Sequence, residues 1–260
     1  MEELLERYEQ FLHSNANTYL DADEFADIAD YYSQQGEELK AVDVVDRALE
    51  IFPDAIGLLA FKARSCLVIN RDVEAAERYI ERAQDKADIE YYYVKAEIIL
   101  MRNSAEKADE YLNNYYNNVI INEPTEEQDD YFYDVANIFF DYEEYYFCNE
   151  WLQRMKNTDA MDCQLLAART SFYLENFGKS ETLYEKLLDE DPFNVGYWQE
   201  IAVAQMAQDK VSEALTSVDY ALAIDPENED AALTKANCLL MLDNVKDAHD
   251  ILEQLINKKS

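Results

Sequence analysis

A chain of 260 residues with 56 acidic against 22 basic side chains carries a formal net charge of −34, and a field of that sign repels phosphate backbones and anionic lipid, which disfavours nucleic acid and membrane surfaces as partners. Only 4 Gly and 4 Pro are present, far below the average usage of roughly 7% and 5%, so hairpin turns are scarce and a nearly all-helical fold is expected. Length alone does not force two domains, because repeat arrays grow by stacking and need no second core.

Residues 1–20 predict an amphipathic capping helix with Leu4, Leu5, Tyr8, Phe11 and Leu12 on one side, followed by the polar break Ser14-Asn15-Ala16-Asn17. The opening MEELLERYEQF has neither the basic nor the apolar region of a secretory signal, and no apolar run reaches the roughly 18 residues that could span a bilayer. The cytoplasm is therefore the expected compartment. From residue 22 a helix pair is expected: Phe25, Ile28, Ala29 and Tyr32 form one stripe, Gly36 permits the turn, Ala41, Val45 and Ala48 form the second stripe, and Pro53 stops the helix. The same succession returns, placing repeats at about 22–55, 56–88, 89–121, 129–160, 161–194, 195–228 and 229–260. A fixed period of this size signals stacked helical repeats.

Small residues set the register. Ala29, Ala63, Ala96, Ala136, Ala168, Ala202 and Ala236 recur in the first helices, and Ala41, Ala76, Ala108, Cys148, Ser180, Ala214 and Ala248 in the second. Twelve residues separate each pair, except for thirteen in the second repeat. Helices of a hairpin must approach closely at these points, and overpacking such a contact typically costs about 1–3 kcal/mol. Ala96 and Ala136 stand 40 residues apart, so the stretch 117–127 must lengthen a helix or form an extended loop before Pro124. At the far end Ile251, Leu252, Leu255 and Ile256 repeat an interior stripe where a terminal repeat normally turns a polar face outward.

Residues 195–228 carry Trp198, Ile201, Ala202, Ala214, Val218, Ala221 and Pro226, and residues 161–194 carry Ala167, Ala168, Ser180, Tyr184, Leu187 and Pro192. At this spacing the chain resembles the tetratricopeptide repeat family. The resemblance covers almost the whole chain and implies an all-α, right-handed solenoid of about seven helix-turn-helix repeats whose first helices line a concave groove. In that family the groove usually holds a peptide or a partner's helix. Groove-facing residues are expected three before, one after and four after each signature alanine. This register yields Ala60, Arg64 and Leu67; Tyr93, Glu97 and Leu100; Tyr133, Asn137 and Phe140; Leu165, Arg169 and Phe172; and Gln199, Val203 and Met206.

Catalysis finds little support. His13 and His249 are the only histidines, no HExxH, GxSxG, P-loop or GxGxxG occurs, and no glycine stands where a calcium loop needs one. No metal site and no cofactor are expected. Cys66, Cys148, Cys163 and Cys238 form no CxxC and read as buried free thiols. The chain also departs from the carboxylate clamp of the chaperone adaptors, with Tyr133 and Leu166 where that clamp wants lysine and asparagine. Arg64 and Arg169 either meet a partner's carboxylate or neutralise neighbouring acids.

One stretch differs in composition: 108–153 contains twelve acids and no Lys or Arg, and 91–146 holds eleven of the 20 tyrosines. Consecutive tyrosines such as Tyr91-Tyr92-Tyr93 cannot all face one way on a helix, so some are expected at the surface, where they suit a basic segment. The sequence thus reads as a non-enzymatic interaction scaffold. Its expected binding residues are Arg64, Tyr93, Glu97, Tyr133, Asn137, Phe140, Arg169 and Phe172, and its expected partner is a protein or peptide with basic residues. The alternatives are self-assembly as a homodimer through the C-terminal repeat, or service as the regulatory arm of a larger protein.

Overall fold

The computed structural model describes residues 1–13 and 19–258, so the polar break after the first helix lies outside the described residues. Helix α1 spans Glu2–Leu12. It seats Tyr8 in the core, edge-on to Phe25 at 6.1 Å, with Leu4, Leu5 and Phe11 packed around it, while Leu12 is exposed. Seven helix pairs follow among the described residues: α2 (Ala22–Gln34) with α3 (Glu38–Ile51), α4 (Ile56–Ser65) with α5 (Val73–Ile80), α6 (Ile89–Met101) with α7 (Ala105–Asn118), α8 (Thr125–Asp141) with α9 (Tyr145–Leu152), α10 (Met161–Tyr173) with α11 (Phe177–Glu190), α12 (Val195–Ala207) with α13 (Val211–Ile224), and α14 (Glu229–Met241) with α15 (Val245–Lys258). No strand occurs among the described residues, and none of their helices is long and apolar enough to cross a membrane. The fold is an α-helical repeat.

All fourteen small-residue positions named above are fully buried. The turn chemistry repeats with them. Seven residues after the signature alanine the chain enters the left-handed region, at Gly36, Asn103, Glu143, Glu175, Asp209 and Asp243. In five of these turns the next N–H donates five residues back, as from Glu37 to the carbonyl of Tyr32 at 2.8 Å and from Asn176 to Ser171 at 2.8 Å. This bond caps the orphan carbonyls of the first helix and reverses the chain. The second repeat, with its thirteen-residue spacing, differs in one respect: α4 runs into a π-turn at Cys66–Asn70, the left-handed residue is Arg71, and Asp72 N–H reaches back six residues to Cys66 at 3.0 Å. One inserted residue has been absorbed by widening one turn, the usual origin of a π-bulge.

The chain divides into two compact units, Met1–Asn122 and Glu123–Ser260. The division falls where the sequence period is broken. There the surplus goes into a 3₁₀ turn at Ile120–Asn122 and into α8, which has 17 residues against 13 in α6, α10, α12 and α14. Within the second unit Glu181 ties three helices together. It accepts hydrogen bonds from Gln205 and Gln208 at 2.9 Å and from Lys210 at 2.8 Å, and Ser217 in turn donates to Gln205 at 2.8 Å. Burial alone would raise the Glu181 carboxyl, but these donors hold it below the usual range.

Candidate functional site

The first unit presents a cavity of about 450 Å³ between α2 and α4, walled in part by Glu90 of α6. Ala26, Asp30 and Ser33 enter from α2, Gly57, Phe61, Arg64 and Ser65 from α4, and Val68 and Ile69 from the π-turn. The π-turn explains why two large aliphatics face solvent here: the inserted residue rotates the end of α4, and Val68 is 76% exposed. Arg64 lies in the wall. Its Nε donates to Glu97 at 2.9 Å and its Nη1 to Glu90 at 2.8 Å. Burial opposes the guanidinium charge, yet the two carboxylates outweigh it and raise the Arg64 pKa. Asp30 has no hydrogen bond or ion pair among the described residues. Its carboxyl is raised, first by desolvation among the cavity walls and then by repulsion from Asp27.

The second unit presents an aromatic face with a cation on it. Tyr145 and Tyr173 stack at 4.3 Å with rings nearly parallel, and Phe140 meets both edge-on at 5.4 and 5.8 Å. The Arg169 guanidinium lies 4.6 Å from the Phe140 ring centre and makes no ion pair among the described residues. Asp141 and Glu200 feel its charge, but desolvation is the larger effect and raises both carboxyls.

These placements sort the expected site residues. Arg64 and Glu97 come together, as an internal ion pair. Tyr93, Glu97 and Phe140 are buried, Tyr93 to 5% exposure; Tyr133, Asn137 and Phe172 are half-buried, and Arg169 is exposed. Asn137 donates to the Tyr133 carbonyl one turn earlier at 3.0 Å, and Phe172 packs against Phe177 at 5.3 Å. The tyrosine triplet behaves differently from expectation, since none of its members is exposed. The reason is that α6 packs against α4, α5 and α7, so several of its faces are interior; Tyr92 stacks into α7, 4.0 Å from Tyr115 and 5.4 Å from Tyr111. Of the tyrosines between 91 and 146, only Tyr146 is largely exposed.

The register error has a simple geometry. At about 100° per residue, positions three before and four after the signature alanine lie within roughly 60° of it, still on the packing side; Leu67, Leu100 and Phe140 are accordingly buried. In the first, second, fifth and sixth repeats the accessible or half-buried residues fall two before, one after or five after, giving Asp27 and Asp30, then Phe61, Arg64 and Val68, then Arg169 and Tyr173, then Glu200 and Val203, whereas the same offsets bury Val94 and Glu97 in the third repeat and Leu166 in the fifth. Asp30 and Ser33 were within reach of the sequence register applied to the first repeat. The thirteen-residue spacing was the available signal for the π-turn.

The cysteines are buried and unpaired. Cys148 contacts the Thr170 hydroxyl at 3.1 Å and burial pushes its thiol up to about 11, which makes it inert. On α15, His249, Asp250 and Glu253 lie close enough to share a cation, all three exposed.

A helical repeat with accessible first-helix faces has the architecture of a protein-interaction scaffold. Profiles of the tetratricopeptide repeat match residues 165–229 and 205–259, so that stretch is similar in sequence to tetratricopeptide repeats. Among solved structures it is similar to a tetratricopeptide repeat protein from Parabacteroides merdae ATCC 43184, with 14% identity, a TM-score of 0.54, and coverage of 90% of this chain and 92% of that one. It is also similar to MamA from Desulfovibrio magneticus RS-1, with 13% identity, a TM-score of 0.51, and coverage of 66% and 94%. MamA of MSR-1 aligns at 14% identity and a TM-score of 0.52, over 68% of this chain and 100% of that one. These likenesses concern the fold. No curated protein matches the chain.

Proposed function

We propose that the chain is a non-enzymatic scaffold that holds a peptide or helical segment bearing basic residues against the exposed faces of its first helices. The carrying observation is that Asp30, Asp141 and Glu200 each stand on or at the end of a first helix, are open to solvent, and are desolvated enough for their carboxyls to be raised. Such charges are relieved by an arriving ammonium or guanidinium, and the net charge of −34 steers a basic partner toward them. Among the described residues they are accompanied by no histidine or reactive thiol: His249 lies on α15, and the four cysteines are buried. Four unpaired buried thiols favour a reducing compartment such as the cytoplasm. Zero-length carboxyl-to-amine crosslinking of the native complex tests the reading: partner lysines should be joined to Asp30, Asp141 or Glu200. Links confined to second-helix surfaces such as α3 and α13 would refute it.

Self-assembly is supported by a separate feature. Leu240, Met241, Leu242, Val245 and Ile256 are all exposed on or between α14 and α15, an apolar set larger than isolated surface residues require. Light scattering over a concentration series decides this version, because a strict monomer at every concentration excludes it.

A further inference from the structure

We infer that the cavity between α2 and α4 is the seat of one lysine or arginine side chain of a polypeptide partner, with a neighbouring aliphatic residue of that partner lying over Val68 and Ile69. The inference rests on the basic-partner reading above and narrows it to one place and one chemistry.

Three observations converge on this cavity. Its volume of about 450 Å³ lies in the range of roughly 300–1,000 Å³ typical of sites that enclose a ligand group. Its charge is unbalanced. Asp30, Glu38 and Glu90 line it, Asp27 stands one turn away, and Arg64 is the only cation in the wall. Arg64 is already matched by Glu90 and Glu97, and Glu38 receives only the Ser33 hydroxyl, at 2.8 Å. The carboxylate left over is Asp30, which lines the open volume and makes no hydrogen bond or ion pair among the described residues, feeling Arg64 only at a distance. Finally, the rim is apolar where it needs no charge. Phe61 lines the cavity along with the carboxylates, and Val68 and Ile69 are exposed on a π-turn that, among the described residues, this repeat alone possesses. A long aliphatic stem ending in a cation fits that sequence of surfaces, with its stem against Phe61 and its head against Asp30 and the second oxygen of Glu90. A simple metal ion would leave the apolar rim unused. A purely apolar side chain would leave Asp30 unmatched.

The test is amide chemical-shift mapping on the full chain with N-acetyl-Leu-Arg-Leu amide as probe, against the same tripeptide with citrulline for arginine and against arginine amide alone. Citrulline keeps the shape and removes the charge. The expected result is shifts centred on Ser33, Val68 and Ile69 with the arginine tripeptide, at least five-fold weaker binding with citrulline, and weaker binding still of arginine amide, which lacks the aliphatic neighbours. Asp30→Asn, at an exposed position, should weaken the arginine tripeptide at least five-fold while leaving the spectrum of a folded protein. Equal binding of the citrulline probe, or no effect of Asp30→Asn, would overturn the inference. So would arginine amide binding as tightly as the tripeptide, which would make the site one for a free cation. If the shifts fall only around Asp141 and Glu200, the cavity is wrongly assigned but the basic-partner reading stands. If a twelve-residue peptide alternating Arg and Leu also produces no shift anywhere, both fall together.

Discussion

Ser180 fills a slot that alanine fills in most other repeats, and its hydroxyl is the buried polar atom without a partner among the described residues. A buried hydroxyl with no hydrogen bond carries a desolvation penalty of about 1–3 kcal/mol. Ser180→Ala should therefore leave thermal stability unchanged or raise it by up to about 1 kcal/mol, and a fall of that size in denaturant unfolding would show that the hydroxyl has a partner after all. Turn residues yield the complementary pair. Gly36 sits at φ 73° with open space where a Cβ would stand, so Gly36→Ala costs only backbone strain, about 1 kcal/mol. Glu175 occupies the same turn position at φ 59°. Glu175→Gly should stabilise by less than about 1 kcal/mol, because relief of strain is partly offset by the freer unfolded chain. Melting temperatures moving in opposite directions for the two variants would confirm that these turns are limited by backbone conformation.

Connections between elements are held by specific acceptors. Asp129, buried in α8, accepts the backbone N–H groups of Lys156 at 3.0 Å and Asn157 at 2.9 Å, and so pins the segment between α9 and α10 to the first helix of its own repeat. Asp129→Ala strands both donors and should destabilise by about 1–3 kcal/mol. Hydrogen exchange would accelerate first at Lys156 and Asn157; unchanged protection at those amides would show that the loop is held by other contacts. The π-turn is the other element-level feature with consequences. It converts one extra residue into a local widening rather than a shifted register, and Ala76 stays fully buried despite the insertion. The fold tolerates the insertion because it lies at a helix end, where only one hairpin bond must lengthen.

For the whole molecule the dominant variable is pH, and its two effects have opposite signs. Asp30, Asp141 and Glu200 have folded pKa values above their ordinary values of 3.8 for Asp and 4.5 for Glu. In the window just above those values the folded state binds more protons than the unfolded, so stability rises as pH falls through it. Glu81 works the other way. Lys86, Lys95 and the Tyr91 hydroxyl hold it down at about 2, so its contribution is complete above 4.5 and is lost as pH falls through about 2. Relief of self-repulsion in a chain of net charge −34 adds to the first effect. Unfolding measured by circular dichroism should show greater stability at about pH 5 than at pH 8, then a steep loss below about pH 4. A stability that rises steadily with pH across this range would contradict the raised carboxyls.

The division between sequence and structure follows from which interactions are local. Helix pairing, the repeat register, the small-residue contacts and the burial of the thiols all depend on residues a few turns apart, so a periodic sequence states them directly. Ala29 and Ala41 announce their burial because every hairpin buries the same pair of positions. Tertiary structure alone decided which residues remain accessible. Tyr93 and Phe140 belong to a stripe that looks groove-facing on an isolated helix, yet neighbouring helices cover it, since the packing arc around a signature alanine is wider than the spacing suggests. Arg64 pairs with Glu90 and Glu97, residues 26 and 33 positions away, and no local pattern encodes that choice. Arg169, identical in repeat position, finds Phe140 rather than a carboxylate. Equivalent positions acquire different chemistry because each repeat meets a different neighbour.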